Sequence, residues 1–299
     1  MKHSLKIISL LIGIFLLAQF AGLLIVNQYV DVQKTEETGQ TVYKNLPYSI
    51  ERPEMEQSTS FIFIIVGVII GTLLILLIIK IKKMLLWKLW FFLAVSITLA
   101  IAFSAFINPF LAAVISVILT IFKVFRPNVI IHNLTEIFIY GGLAAVFVPL
   151  MNFIAVLILL ILISIYDMIA VWKIKHMITL AEFQTESKVF AGISIPKKEE
   201  KAKISAKPAK FKKSEAKTVI TSAILGGGDI AFPLLFAGVV MKQYGFAMAL
   251  IIPIIAAIVL FILLVKGERG KFYPAMPFLT AGCLVGFFII KLIGMYFVF

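Results

Sequence analysis

The chain has 299 residues, of which 62% are hydrophobic and only 14% charged, and a formal net charge of +13; its mean hydropathy is +1.08. No soluble globular domain hides so much apolar surface, so these values exclude one and point to a polytopic membrane protein. The ~10-residue alternation of a membrane β-barrel is missing as well, and the expected fold class is all-α.

Nine apolar spans are expected, since a ~30 Å hydrocarbon core takes ~20 mostly apolar residues per helix. The first covers residues 7–26, after Lys2 and Lys6. Its apolar core exceeds the ~7–15 residues of a signal-peptide core, so it reads as a retained helix. Residues 31–59 form a polar loop with more acid than base. The second span, 60–79, ends at Lys80, Lys82 and Lys83, and the third, 89–107, ends before Asn108-Pro109. The fourth, 110–122, is short and closed by Lys123, Arg126 and Pro127. The fifth, 134–150, carries Glu136 near its start, within reach of water or headgroups, which gives it a structural reading. The sixth, 153–172, holds Tyr166-Asp167 and is followed by Lys173, Lys175 and His176.

A basic stretch, 173–217, separates this six-helix part (1–172) from a three-helix part (218–299). From 196 to 217 it repeats Lys, Ala, Ser, Glu and Pro and is read as a flexible cytoplasmic linker, too poor in large apolar residues to fold alone. The seventh span, 218–241, contains Gly226-Gly227-Gly228-Asp229, the eighth, 246–265, contains Pro253, and the ninth opens at Pro274-Ala275-Met276-Pro277 and runs to the C-terminus. Gly67/Gly71 and Gly282/Gly286 read as small residues that let helices approach closely.

With nine alternating crossings and a cytoplasmic N-terminus, 23 of the 28 Lys and Arg fall on the cytoplasmic side. That bias favours N-terminus in and C-terminus out. The lysines thus set topology and touch anionic headgroups, and nucleic acid is not an expected partner. The lone Cys283 lies in an apolar span, so no intrachain disulfide can form.

Only three aspartates occur, and two of them, Asp167 and Asp229, lie in apolar segments. Each costs at least ~2.5 kcal/mol to insert, which marks a functional site. Asp167 stands six residues before Lys173, about 9 Å of helix rise from the cytoplasmic interface. Asp229 matches that depth better if Gly226 to Gly228, poor helix formers, delay the helix. His3, His132 and His176 form no His-Glu-x-x-His zinc site and lie near segment ends, so no metal or cofactor is expected and a serine-type site has no base at mid-membrane. Carboxylates remain. Two aspartates in a low-dielectric site share a proton, so one can activate water while the other polarises a peptide carbonyl and protonates the leaving nitrogen. A helical substrate must unwind to expose that carbonyl, and strand addition to extended enzyme backbone would partner the freed groups.

Tyr166-Asp167, Gly226-x-Gly228-Asp229 and Pro274-Ala275-Met276, in this order and membrane placement, resemble the three motifs of the GxGD intramembrane aspartyl proteases, most closely the presenilins and their archaeal homologues. The resemblance covers spans six to nine. It implies that Asp167 and Asp229 are catalytic, that Tyr166 and Gly226, Gly227 and Gly228 shape the site, and that Pro274, Ala275 and Met276 line it and help hold substrate. It implies transmembrane protein substrates, an archaeal cell membrane and no obligatory accessory subunit; oligomeric state is not implied. Two departures stand out: Met276 replaces the usual leucine, and Gly227 replaces a larger residue. The derived orientation separates this chain from the signal peptide peptidases, whose topology is inverted. The competing function class is an ion- or proton-coupled transporter or leak channel using the same carboxylates.

Overall fold

A computed structural model describes residues 4–81, 83–172, 190–196, 222–267 and 273–296. The helices are α1 (Leu5–Gln28), α2 (Val32–Thr38), α3 (Ser60–Ile81), α4 (Met84–Ser104), α5 (Pro109–Phe125), α6 (Val129–Phe147, continued by a 3-10 turn, Val148–Leu150) and α7 (Phe153–Trp172). Two short strands follow, β1 (Gly192–Pro196) and β2 (Ser222–Gly226), and then α8 (Gly227–Ala249), α9 (Ile251–Lys266) and α10 (Met276–Tyr296). Among the described residues, seven helices are long and apolar enough to cross a membrane, and α5 and α9 are shorter apolar ones.

Helix starts follow local chemistry. Asn108 accepts the Phe110 N–H at 2.9 Å ahead of Pro109, and Asn128 accepts the Ile130 N–H at 2.8 Å, so side-chain oxygens replace missing intrahelical acceptors. In the polar loop after α1, Asp31 caps α2, and Gly39 closes it in the left-handed conformation. The loop is tied to the bundle where Arg52 donates to the Ala145 carbonyl at 3.3 Å.

Between lipid-embedded helices there is no hydrophobic drive to exploit, and close packing has to supply the contact energy. α8 is the most enclosed span, and α1 packs across α6, α8 and α9. Gly282 and Gly286 fit that role, because a Cβ there would lie 3.2 and 3.1 Å from the Cα atoms of Ala256 and Ile252 on α9. Gly67 and Gly71 do not, having nothing within 4 Å, and α3 lies at the edge, resting on the bundle through Phe61, Ile64, Ile65, Ile75 and Ile78 and exposing the rest of its apolar surface.

Three expectations change. The seventh apolar segment is not one continuous helix: its described part opens at Ser222 as β2, and the helix begins at Gly227. β2 pairs antiparallel with β1, Gly192 opposite Gly226, so Gly192–Pro196, assigned to the linker by composition, is a strand. Apart from residues 190–191, which lead into β1, the rest of the linker, like the bounds drawn through it, lies outside the described residues. Finally, α5 runs past the bound set by hydropathy and takes Lys123 inside, where it meets Glu136 of α6. Lys123 Nζ lies 2.6 Å from Glu136 Oε1 with both side chains 1% exposed, so neither side chain reaches water or headgroups.

Candidate active site

α8 starts where the glycines allow an abrupt change from strand to helix. Gly226 is extended (φ −65°, ψ 149°) and is the N-cap, which places Asp229 in the first helical turn. The Asp229 carboxylate turns back toward the backbone N–H of Gly226, the placement of an acidic residue at the third position of a capping box. A side chain at this helix end also meets the positive end of the peptide dipoles.

Asp167 comes from α7, near its end, and is held by a different helix start. Its Oδ2 accepts the Met276 N–H at 3.0 Å, and the Ala275 N–H also lies on the carboxylate's side and favours its charged form. Pro274, with no N–H, is buried at the approach to α10. One turn away, Ser164 Oγ and Thr280 Oγ1 meet at 2.7 Å, a buried second tie between α7 and α10. Asp167 and Asp229 are both half-buried and lie within electrostatic range of each other. Each carboxylate is thus held at a helix N-terminus, one by its own helix and the other by a neighbour's.

The remaining predicted residues separate. Gly226, Gly227, Gly228, Pro274, Ala275 and Met276 all adjoin one or other aspartate in chain or space. Met276 is 3% exposed, so at this position the backbone N–H contacts Asp167 while the side chain packs into the core. Tyr166 is 44% exposed on α7. Gly227 explains its own small size: a Cβ there would come within 2.7 Å of Tyr140 Oη. The place that a larger residue would occupy is filled from α6.

The strand pair borders Asp229. β1 is held to α6 by side chains that imitate a neighbouring strand: Asn133 Nδ2 donates to the Ser194 carbonyl at 2.8 Å, and Asn133 Oδ1 accepts the Ser194 N–H at 3.0 Å. Since Gly192 and Ser194 turn their backbone groups to α6, antiparallel alternation turns Ile193 and Ile195 to β2. On β2 the same alternation leaves Ile224, 53% exposed, facing the opposite edge. From α1, buried Gln19 donates to the Ile230 carbonyl at 2.7 Å, next to Asp229.

Sequence reading missed the α6 contribution. The signal was present, for His132, Glu136 and Tyr140 fall at i, i+4 and i+8, one above another on a helix face. No group of three or more His, Cys, Asp or Glu that could hold a metal occurs among the described residues.

Residues 12–295 match the family model described as signal-peptide peptidase, presenilin aspartyl protease. A solved structure of a presenilin family intramembrane aspartate protease in space group C222 is similar at a TM-score of 0.60 and 18% identity, covering 96% of this chain and 99% of that one. A second, in space group P2, gives 0.55 and 17%, covering 94% and 97%. At these identities the likeness shows the fold. No curated protein matches.

Proposed function

The chain belongs to the signal-peptide peptidase and presenilin family of aspartyl proteases, and from that premise we propose that Asp167 and Asp229 are its catalytic pair, hydrolysing peptide bonds within the transmembrane helices of single-span proteins. The observation that supports this reading is the placement of the two carboxylates within electrostatic range of each other, each beside the backbone N–H groups of a helix start.

One carboxylate, ionised, takes a proton from water as its oxygen attacks the scissile carbonyl. The other, protonated, hydrogen-bonds the carbonyl oxygen and then delivers a proton to the leaving nitrogen as the C–N bond breaks. Anchoring by Gly226 on one side and Ala275 and Met276 on the other occupies some oxygen lone pairs and fixes the carboxylates. Tyr166, Gly226, Gly227, Gly228, Pro274, Ala275 and Met276 shape the site. The substrate helix unwinds, and its freed N–H and C=O groups pair with the open edge of β2 at Ile224, which leads straight into Gly226 and Asp229.

We also read the nine apolar helices as nine crossings, with the N-terminus cytoplasmic and the C-terminus outside, in an archaeal cell membrane. The supporting observation is the placement of Lys and Arg. Lys123 leaves that tally, since its charge is consumed by Glu136, and the asymmetry persists without it.

The test uses the full chain in proteoliposomes with a synthetic single-span substrate. Wild type cleaves it, and Asp167→Ala and Asp229→Ala do not. Coupled ion flux lost in the same variants, with no cleavage by wild type, would establish the transporter instead.

A further inference from the structure

The polar groups on α5 and α6 lie outside the two aspartates and have no part in the chemistry above, yet they converge on the strand that borders them. Glu136 is 0% exposed and fully engaged: Oε1 takes Lys123 Nζ at 2.6 Å, and Oε2 takes both the Gly192 N–H at 3.0 Å and the Tyr140 hydroxyl. Lys123 donates further to Thr135 Oγ1 at 3.0 Å and lies 3.2 Å from His132 Nδ1. The other ring nitrogen, His132 Nε2, is 2.7 Å from the Gly192 carbonyl. A carbonyl only accepts, so Nε2 carries the proton and Nδ1 accepts from the lysine, which defines the neutral tautomer.

Both backbone groups of Gly192 therefore end on α6. Gly192 has φ +137°, a conformation suited to glycine, and sits directly opposite Gly226. Gly226 in turn holds the Asp229 carboxylate, and the Tyr140 hydroxyl abuts Gly227. The network thus touches the start of α8 twice, once through the strand pair and once directly. Stability alone is a poor reason for it, because a buried ion pair is commonly no better than well-packed apolar residues.

We propose that Glu136, held by Lys123 and acting through Gly192 and Tyr140, is a positioning residue of the active site: it sets the height of the strand pair and of the first turn of α8, and so aims Asp229 at the substrate carbonyl. This rests on the two-aspartate reading above. Neither Glu136 nor Lys123 reaches the reacting atoms. Displacement of Asp229 by a fraction of an ångström should appear in the chemical step, where ~1 Å of misplacement costs up to ~10²-fold.

The experiment compares Glu136→Gln, Lys123→Met, the double variant and Tyr140→Phe in proteoliposomes of phosphatidylcholine and phosphatidylglycerol. Cleavage of a synthetic single-span peptide gives kcat and KM, mass spectrometry maps the cut bonds, and a labelled hydroxyethylene peptide isostere counts competent sites. Expected for Glu136→Gln is a fall in kcat per titrated site of about tenfold or more, with KM within about twofold and cut positions redistributed. Lys123→Met added to Glu136→Gln should cost nothing more, because the lysine acts through the glutamate. If the folded fraction drops while kcat per titrated site and the cut positions stay at wild-type values, Glu136 is structural only and the inference fails. If Asp229→Ala in the same series still cleaves, the two-aspartate reading itself fails, a result that no Glu136 variant can imitate.

Discussion

Replacing Gly227 by alanine sets two physical arguments against each other. By helix propensity the change is favourable by up to ~1 kcal/mol, and no left-handed φ forbids a side chain there. By packing it is not. The new Cβ would stand 2.7 Å from Tyr140 Oη, where ordinary contact begins at 3.4 Å, with Tyr140 Cε1 at 3.2 Å and the Ala191 Cβ at 3.3 Å behind it. The hydroxyl must retreat by about 0.7 Å, yet it is bonded to buried Glu136, so the start of α8 has to give instead. Overpacking of this kind costs ~1–3 kcal/mol. If that strain falls on the reacting geometry, kcat drops by ~5- to ~150-fold. The assay is cleavage in proteoliposomes alongside a thermal melt in detergent. Gly227→Ala should lower both kcat and the melting temperature. Gly227→Ala in a Tyr140→Phe background should lose much less relative to Tyr140→Phe alone, since the closest atom is gone. A melting temperature above wild type with unchanged kcat would refute the contact and the reasoning built on it.

Further outcomes follow from other elements. Thr280→Val removes the buried hydroxyl pair with Ser164 and should cost about 0.6–2 kcal/mol, with little added by Ser164→Ala, as melts of single and double variants would show; full additivity would mean the hydroxyls do not interact. Tyr29, just beyond α1, donates to the Ile101 carbonyl at 2.7 Å, and burial pushes its phenol up to about 12. A raised phenol favours the protonated folded form, so its contribution is complete below pH ~10 and is lost as pH rises through about 12. Tyr29→Phe should flatten that part of the alkaline melting profile, and an unchanged profile would contradict the assignment. For topology, Cys283 is buried, so labelling of a Ser205→Cys variant reports on the introduced thiol. A membrane-impermeant maleimide should label it only from the cytoplasmic side, and labelling from outside would invert the orientation.

The apolar segments could be read in the sequence because hydropathy is a property of ~20-residue windows and survives errors of a few residues. The polar ends of those windows were misread for the same reason. Scored alone, Lys123 looks like a terminator and Glu136 like a group that reaches water, but once paired across α5 and α6 neither needs water, and α5 continues past Lys123. The aspartates and glycines were conspicuous because a carboxylate in hydrocarbon demands a reason. The strand pair was not: Gly192–Pro196 is five residues long, and its partner lies about 30 residues further along the chain, where pairing is not a local property. Asn133 and Glu136 likewise acquire their meaning only when a strand lies beside them. The family model and the solved structures support the presenilin-like fold, while the roles of individual residues rest on the geometry set out above.

The most direct test of the central claim is cleavage of a single-span substrate by Asp167→Asn and Asp229→Asn, each normalised to folded protein. Asparagine keeps the shape and the hydrogen bonds from backbone N–H groups but can neither accept nor return the catalytic proton. Both variants should fall by at least about 10²–10⁴-fold. Cleavage by either within tenfold of wild type would contradict the account.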